Sequence, residues 1–140
     1  MQKLSSVLLV DDDSTNNFLN ELLLKRLEVT DHLLVAENGS EALALLAERA
    51  DSPEADSPAL IFLDVNMPVM NGIEFLEAYQ QLPPDRQRAS IIVMLTTTMD
   101  GRDLARIQEL PIAGLVSKPL TEEKVNTILQ LHFQRQLSGH

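Results

Sequence analysis

The sequence predicts an α/β fold: a parallel sheet covered by helices on both faces. Three observations carry the prediction. Five short β-rich runs alternate with segments whose apolar residues recur at helical spacing, the pattern of strand–helix–strand units. The first run, residues 7–10, is apolar throughout, as a strand buried on both faces is. No internal repeat, low-complexity tract or composition break divides the 140 residues, a length that suits a single domain.

Each element follows in order. Residues 7–10 form the first strand. Asp13, Ser14 and Thr15 then offer helix N-caps, and Phe18, Leu19, Leu22, Leu23 and Leu27 recur at helical spacing. Residues 32–36 read as the second strand. Gly39, Ser40 and Glu41 open an Ala/Leu-rich helix that runs to about residue 50, with Ala42, Leu45 and Leu46 on its inner side. The acidic, turn-rich residues 51–58 read as a solvent-exposed loop within the domain, not as a linker. Residues 60–63 are the third strand, and a helix covers 73–81. Residues 91–95 are the fourth strand, followed by a polar helix over 101–110 whose sparse apolar set is Leu104, Ile107 and Leu110. Residues 113–117 make a fifth strand of small residues. Thr121 caps the last helix, which turns Val125, Ile128, Leu129 and His132 or Phe133 inward. Five strands and five helices with right-handed crossovers leave few arrangements.

Composition narrows the function classes. Apolar residues make up 44% of the chain and aromatics only 4%, so the core is built mostly from Leu, Val, Ile and Ala. Eleven basic and 21 acidic residues give a net charge of −10. That charge argues against nucleic acid as a partner, since phosphates are matched by Lys and Arg, and against docking on anionic lipid. With no cysteine there is no disulfide framework, thiolate nucleophile or zinc ribbon. The apolar runs at 59–63 and 91–95 fall far short of the about 20 residues needed to span a bilayer. The N-terminus has no signal-peptide core of useful length. The expectation is a soluble, cytoplasmic domain.

Open α/β sheets place their sites outside the carboxyl ends of the strands. Strand one ends in Asp11-Asp12-Asp13, strand three in Asp64, strand four in Thr96-Thr97-Thr98 and strand five in Ser117-Lys118-Pro119. Carboxylates, hydroxyls and an ammonium therefore converge on one edge. Two carboxylates about 4 Å apart repel by about 4 kcal/mol at an effective dielectric of ~20. A divalent cation relieves this, and all-oxygen ligands with no nearby His or Cys suit Mg²⁺. Lys118 offers a compact positive charge for a metal-bound anion such as a phosphoryl group, and Thr96 a hydroxyl donor.

Four segments now stand together: Leu8-Leu9-Val10-Asp11-Asp12-Asp13, Leu63-Asp64-Val65-Asn66-Met67-Pro68-Val69-Met70-Asn71-Gly72, Val93-Met94-Leu95-Thr96 and Ser117-Lys118-Pro119. In this order and spacing the chain resembles the receiver domain of two-component response regulators over about residues 5–135. The resemblance implies a flavodoxin-like, doubly wound sheet of order 2-1-3-4-5. It implies that Asp64 is the phosphoacceptor, attacking a phosphohistidine on a sensor histidine kinase or histidine phosphotransfer protein to form an acyl phosphate. It further implies that Asp12, Asp64 and the backbone carbonyl of Asn66 ligate Mg²⁺, that Asp11 acts through metal-bound water, and that Lys118 and Thr96 contact the phosphoryl oxygens. The Lys118-Pro119 bond is expected to be cis, aiming the ammonium at the site.

One position departs from the family pattern. Leu115 stands where many receivers carry Tyr or Phe, the aromatic that turns inward as the threonine moves. Signalling is therefore expected to rely on Thr96 and the loop after it. Asp13 reads as a helix cap, Asn71-Gly72 as a turn and nothing more, Met67, Met70, Met94 and Met99 as loop and core fillers, and the scattered His32, His132 and His140 as no ligand set. Only Ser138, Gly139 and His140 follow the last helix region, so the expectation is a stand-alone module, residues 1–140, that signals by binding an unknown downstream protein. Two alternatives differ in class. A Mg²⁺-dependent phosphatase working through an aspartyl phosphate commonly needs a second acid two residues past the nucleophile, where this chain has Asn66. A nucleotide or flavin binder needs a glycine-containing phosphate loop after strand one, yet the first glycine is Gly39.

Overall fold

A computed structural model describes residues 3–50 (48–50 in backbone alone), 59–65, 70–81, 91–96, 105, 109 and 112–133. Within these, five strands form one sheet: β1 (Val7–Val10), β2 (Leu33–Ala36), β3 (Leu60–Asp64), β4 (Ile91–Thr96) and β5 (Gly114–Ser117). Their order is β2-β1-β3-β4-β5, and every neighbouring pair is parallel. Four helices are described: α1 (Ser14–Arg26), α2 (Gly39–Ala50), α3 (Gly72–Tyr79) and, here numbered α4, the C-terminal helix (Glu122–Phe133). The architecture is the flavodoxin-like one that the resemblance implied. Of the helix expected over 101–110 only Ala105 and Glu109 are described, and the acidic loop 51–58 lies outside the described residues.

Alternation along the strands builds two cores. Leu8, Ile61, Leu63, Ile92 and Met94 face one side, where they meet Ala42 and Leu46 of α2 and Phe75, Leu76 and Tyr79 of α3. Val7, Leu9, Phe62, Val93 and Leu95 face the other, against Leu24 of α1 and Val125, Ile128 and Leu129 of α4. The central strands β1 and β3 are buried along their whole length, whereas β5 at the sheet edge is only partly covered. Such two-sided burial is what a parallel sheet requires.

The caps are local chemistry. Asp13 accepts the backbone N–H groups of Thr15 and Asn16 and so starts α1. Thr121 Oγ1 accepts the Lys124 N–H at the start of α4. Asn71 and Glu74 form a reciprocal capping box, so Asn71-Gly72 is a helix start and not merely a turn. That pair has a further consequence: Gly72 packs against the end of β3, its N–H donating to the Val65 carbonyl at 2.9 Å.

Helix α1 corrects the apolar stripe suggested by spacing. Of that stripe, Leu23 packs against the core and the C-cap Leu27 is buried as the spacing suggests, but Phe18, Leu19 and Leu22 are 57%, 55% and 50% exposed, and Asn17 and Leu24 are buried in their stead. Apolar residues lie on more than one side of this helix, so periodicity alone does not choose its inner face. The Asp13 cap and the exit from β1 choose it, and they turn Asn17 toward the sheet.

Candidate functional site

The site is assembled at the carboxyl ends of β1, β3 and β5. Asp11 follows β1 and is 3% exposed; Asp64 closes β3 and is 6% exposed; Asp12 faces solvent. One carboxylate oxygen from each of the three lies within 4.8 Å of the others. Lys118, just past β5, places its Nζ 3.1 Å from Asp11 Oδ2 and 3.1 Å from Asp64 Oδ1. A single ammonium thus bridges the two buried carboxylates, and Asp12 supplies a third on the open side.

Backbone contacts hold each group in place. Asp11 Oδ1 accepts the Asp13 N–H at 2.9 Å, and the Asp11 carbonyl accepts Asn17 Nδ2 at 2.8 Å. The Asp11 N–H donates to Ala36 of β2. The Lys118 N–H donates to the Thr96 carbonyl at 2.8 Å, joining β4 to the lysine turn. The Lys118–Pro119 peptide bond is cis. Burial works against the Lys118 ammonium, but hydrogen bonds and charge from Asp11 and Asp64 outweigh it and hold its pKa above the usual lysine value.

The donor set fits a hard divalent cation. Three carboxylates converge with no His or Cys among them, which is the chemistry of Mg²⁺, Mn²⁺ or Ca²⁺ rather than of zinc. Of the residues singled out in the sequence, Asp11, Asp12, Asp64 and Lys118 come together, and Thr96 joins them through its carbonyl. Asn66 and the loop following Thr96 lie outside the described residues. Leu115 sits apart on β5, 40% exposed, along a groove of about 420 Å³ shared with Val93, Ile128 and Leu131.

Spacing did not single out three contributors. Asn17 is buried beneath Asp11, Gly72 abuts Asp64, and Lys124 hydrogen-bonds the residues on either side of Lys118. No sequence signal marks Asn17, because the apolar spacing of α1 does not single out its sheet-facing side. Beside the site, a groove of about 450 Å³ runs from Asp11 and Lys118 along Leu19, Leu23, Pro119 and Leu120.

An acidic triad with a lysine bridging two of its members, on a 2-1-3-4-5 sheet, defines a class, and comparison with known proteins agrees. Residues 7–130 match the family model for the response regulator receiver domain. The chain belongs to this family and is a receiver domain of two-component signalling. Response regulator Rcp1 of Synechocystis sp. is 30% identical over 112 residues, 80% of this chain and 75% of its own length. Among solved structures, a two-component response regulator from Cytophaga hutchinsonii matches with a TM-score of 0.84 and 30% identity, covering 96% of this chain and all of its own. The Mn²⁺-bound form of response regulator Rcp1 matches with a TM-score of 0.72 and 27% identity, covering 91% of this chain and 93% of its own. Other relatives are longer: the chain spans 29% of a protein-glutamate methylesterase/protein-glutamine glutaminase from Burkholderia thailandensis, at 33% identity. No helix among the described residues is long and apolar enough to cross a membrane.

Proposed function

We propose that Asp64 accepts a phosphoryl group from a phosphohistidine on a sensor histidine kinase or histidine phosphotransfer protein. The observation that carries this reading is the buried Asp64 carboxylate, grouped with those of Asp11 and Asp12 and held 3.1 Å from Lys118 Nζ. An Asp64 oxygen attacks phosphorus, the P–N bond breaks, imidazole leaves, and an acyl phosphate remains on the side chain. Asp12 and Asp64, with the Asn66 carbonyl, would hold Mg²⁺, and Asp11 would act through water. When bound, the cation neutralises charge on the phosphoryl oxygens and the carboxylates, which is most of what such a transfer needs.

Lys118 supplies the protein's own positive charge to the same oxygens. Thr96, at the end of β4, donates its hydroxyl to them once the phosphoryl group is in place. Output follows as a phosphorylation-dependent interaction with another protein in the cytoplasm, without nucleic acid or membrane binding by this domain. The family match speaks against a phosphatase that turns over small esters.

The test is incubation with acetyl phosphate and Mg²⁺, followed by intact mass. The wild-type chain gains one phosphoryl group; Asp64→Asn, or wild type with a chelator, gains none. An equal gain in Asp64→Asn contradicts the proposal.

A further inference from the structure

Helix α4 reaches back to the turn that carries Lys118. The Lys124 Nζ lies 2.8 Å from the Ser117 carbonyl oxygen, 3.0 Å from the Pro119 carbonyl oxygen and 3.3 Å from Ser117 Oγ. An ammonium has three N–H donors and no acceptor, so these three uncharged oxygens take up its whole capacity. Ser117 and Pro119 are the residues immediately before and after Lys118. The Lys118 N–H is itself tied to the Thr96 carbonyl of β4 at 2.8 Å. The turn is thus pinned from β4 on one side and from α4 on the other.

We propose that Lys124 is a positioning residue for phosphoryl transfer. It fixes the backbone from Ser117 to Pro119, and through it keeps Lys118 Nζ 3.1 Å from both Asp11 and Asp64. A long lysine side chain otherwise samples many rotamers, and β5 at the sheet edge gives its turn little cover. Holding the reacting charge in place matters because a displacement of about 1 Å costs up to about 100-fold in rate. Three donors on one atom suit three acceptors around it, whereas the planar fork of arginine does not. The proposal rests on Asp64 being the phosphoacceptor.

The absence of cysteine from the chain provides a direct test. Lys124→Cys introduces a single thiol, and alkylation with 2-bromoethylamine restores an ammonium on a side chain of lysine length. Phosphorylation by acetyl phosphate is timed by intact mass at saturating Mg²⁺, and Mg²⁺ affinity is measured by calorimetry without phosphodonor. Lys124→Cys is expected to be phosphorylated about 10-fold more slowly than wild type, and the aminoethylated protein to return to within about twofold. Lys124→Met, which has no thiol, stays slow before and after the reagent. Mg²⁺ affinity does not fall below the wild-type value in any of these proteins, because loosening the lysine turn removes none of the carboxylates.

A wild-type rate in Lys124→Cys overturns the proposal. So does failure of the restored amine to recover the rate, or a fall in Mg²⁺ affinity that parallels the fall in rate. If instead the wild-type chain takes up no phosphoryl group, or Asp64→Asn takes up as much, the phosphoacceptor reading fails and this one with it. Normal labelling of Asp64 with no dependence on Lys124 removes the positioning role alone.

Discussion

Replacing Gly72 by alanine sets a methyl group against the backbone of the site. A Cβ built on Gly72 would lie 2.5 Å from the Asp64 carbonyl oxygen, 3.0 Å from the Met94 terminal methyl and 3.1 Å from the Val65 Cα. Ordinary contact begins near 3.4 Å, so the two backbones must part by about 0.9 Å. The Met94 methyl is the end of a flexible side chain and yields, but the Asp64 carbonyl belongs to β3, which is paired on both sides by β1 and β4. Overpacking of this kind costs about 1–3 kcal/mol. Against it stands the gain of alanine over glycine in a helix, at most about 1 kcal/mol. The steric cost wins, for a net loss of about 1–2 kcal/mol and a fall in Tm of roughly 3–8 °C. Because the displaced carbonyl is that of Asp64 itself, phosphorylation by acetyl phosphate also slows by about 10-fold or more. Thermal unfolding by circular dichroism and timed intact mass check the two halves. A Tm equal to or above wild type, with an unchanged rate, refutes the close packing of α3 on the site residue.

Asn17→Ala removes the donor that satisfies the buried Asp11 carbonyl, and urea unfolding should show a loss of about 1–3 kcal/mol; a change within about 0.5 kcal/mol contradicts that role. For Lys118 the raised pKa sets the sign of a pH effect: its stabilising contribution is complete below the ordinary lysine value of about 10.4 and is lost as pH rises through the higher folded value. In chelator, the stability difference between wild type and Lys118→Met should be constant from about pH 7 to 9 and shrink only above about pH 10.5; shrinkage already between pH 7 and 9 contradicts the bridge to Asp11 and Asp64. Leu115→Ala should leave phosphorylation unchanged and preserve discrimination between phosphorylated and unphosphorylated forms in a pull-down with a beryllofluoride mimic. Loss of that discrimination with normal phosphorylation means that Leu115 transmits the signal after all.

The parts of the site that were legible in the sequence are those the strands place automatically. Asp11, Asp64 and Lys118 each follow or close an apolar run, and a parallel sheet brings the carboxyl ends of its strands to one edge. The bridge that Lys118 makes between the two buried aspartates was not legible: the residue types offered its ammonium to a phosphoryl group, and only the structure places it 3.1 Å from both carboxylates. What stayed hidden depends on orientation. Helix α1 carries apolar residues on several sides, so its exposed Phe18, Leu19 and Leu22 looked like a core stripe, and nothing in the spacing marked Asn17 as buried. Gly72 matters because of a close approach between α3 and β3, and Lys124 because its side chain folds back over the turn at Ser117, seven residues earlier in the chain. Such contacts carry no periodic signal. The capping box of Asn71 and Glu74, by contrast, has a local pattern and was legible in principle.

The central claim is that Asp64 carries the phosphoryl group, and trapping the acyl phosphate tests it at residue level. After phosphorylation with acetyl phosphate and Mg²⁺, deuterated borohydride reduces an aspartyl phosphate to labelled homoserine, which peptide mass mapping then locates. Deuterated homoserine is expected at position 64 and at no other aspartate. Label at Asp11 or Asp12, or a stable phosphoryl adduct with none at Asp64, contradicts it.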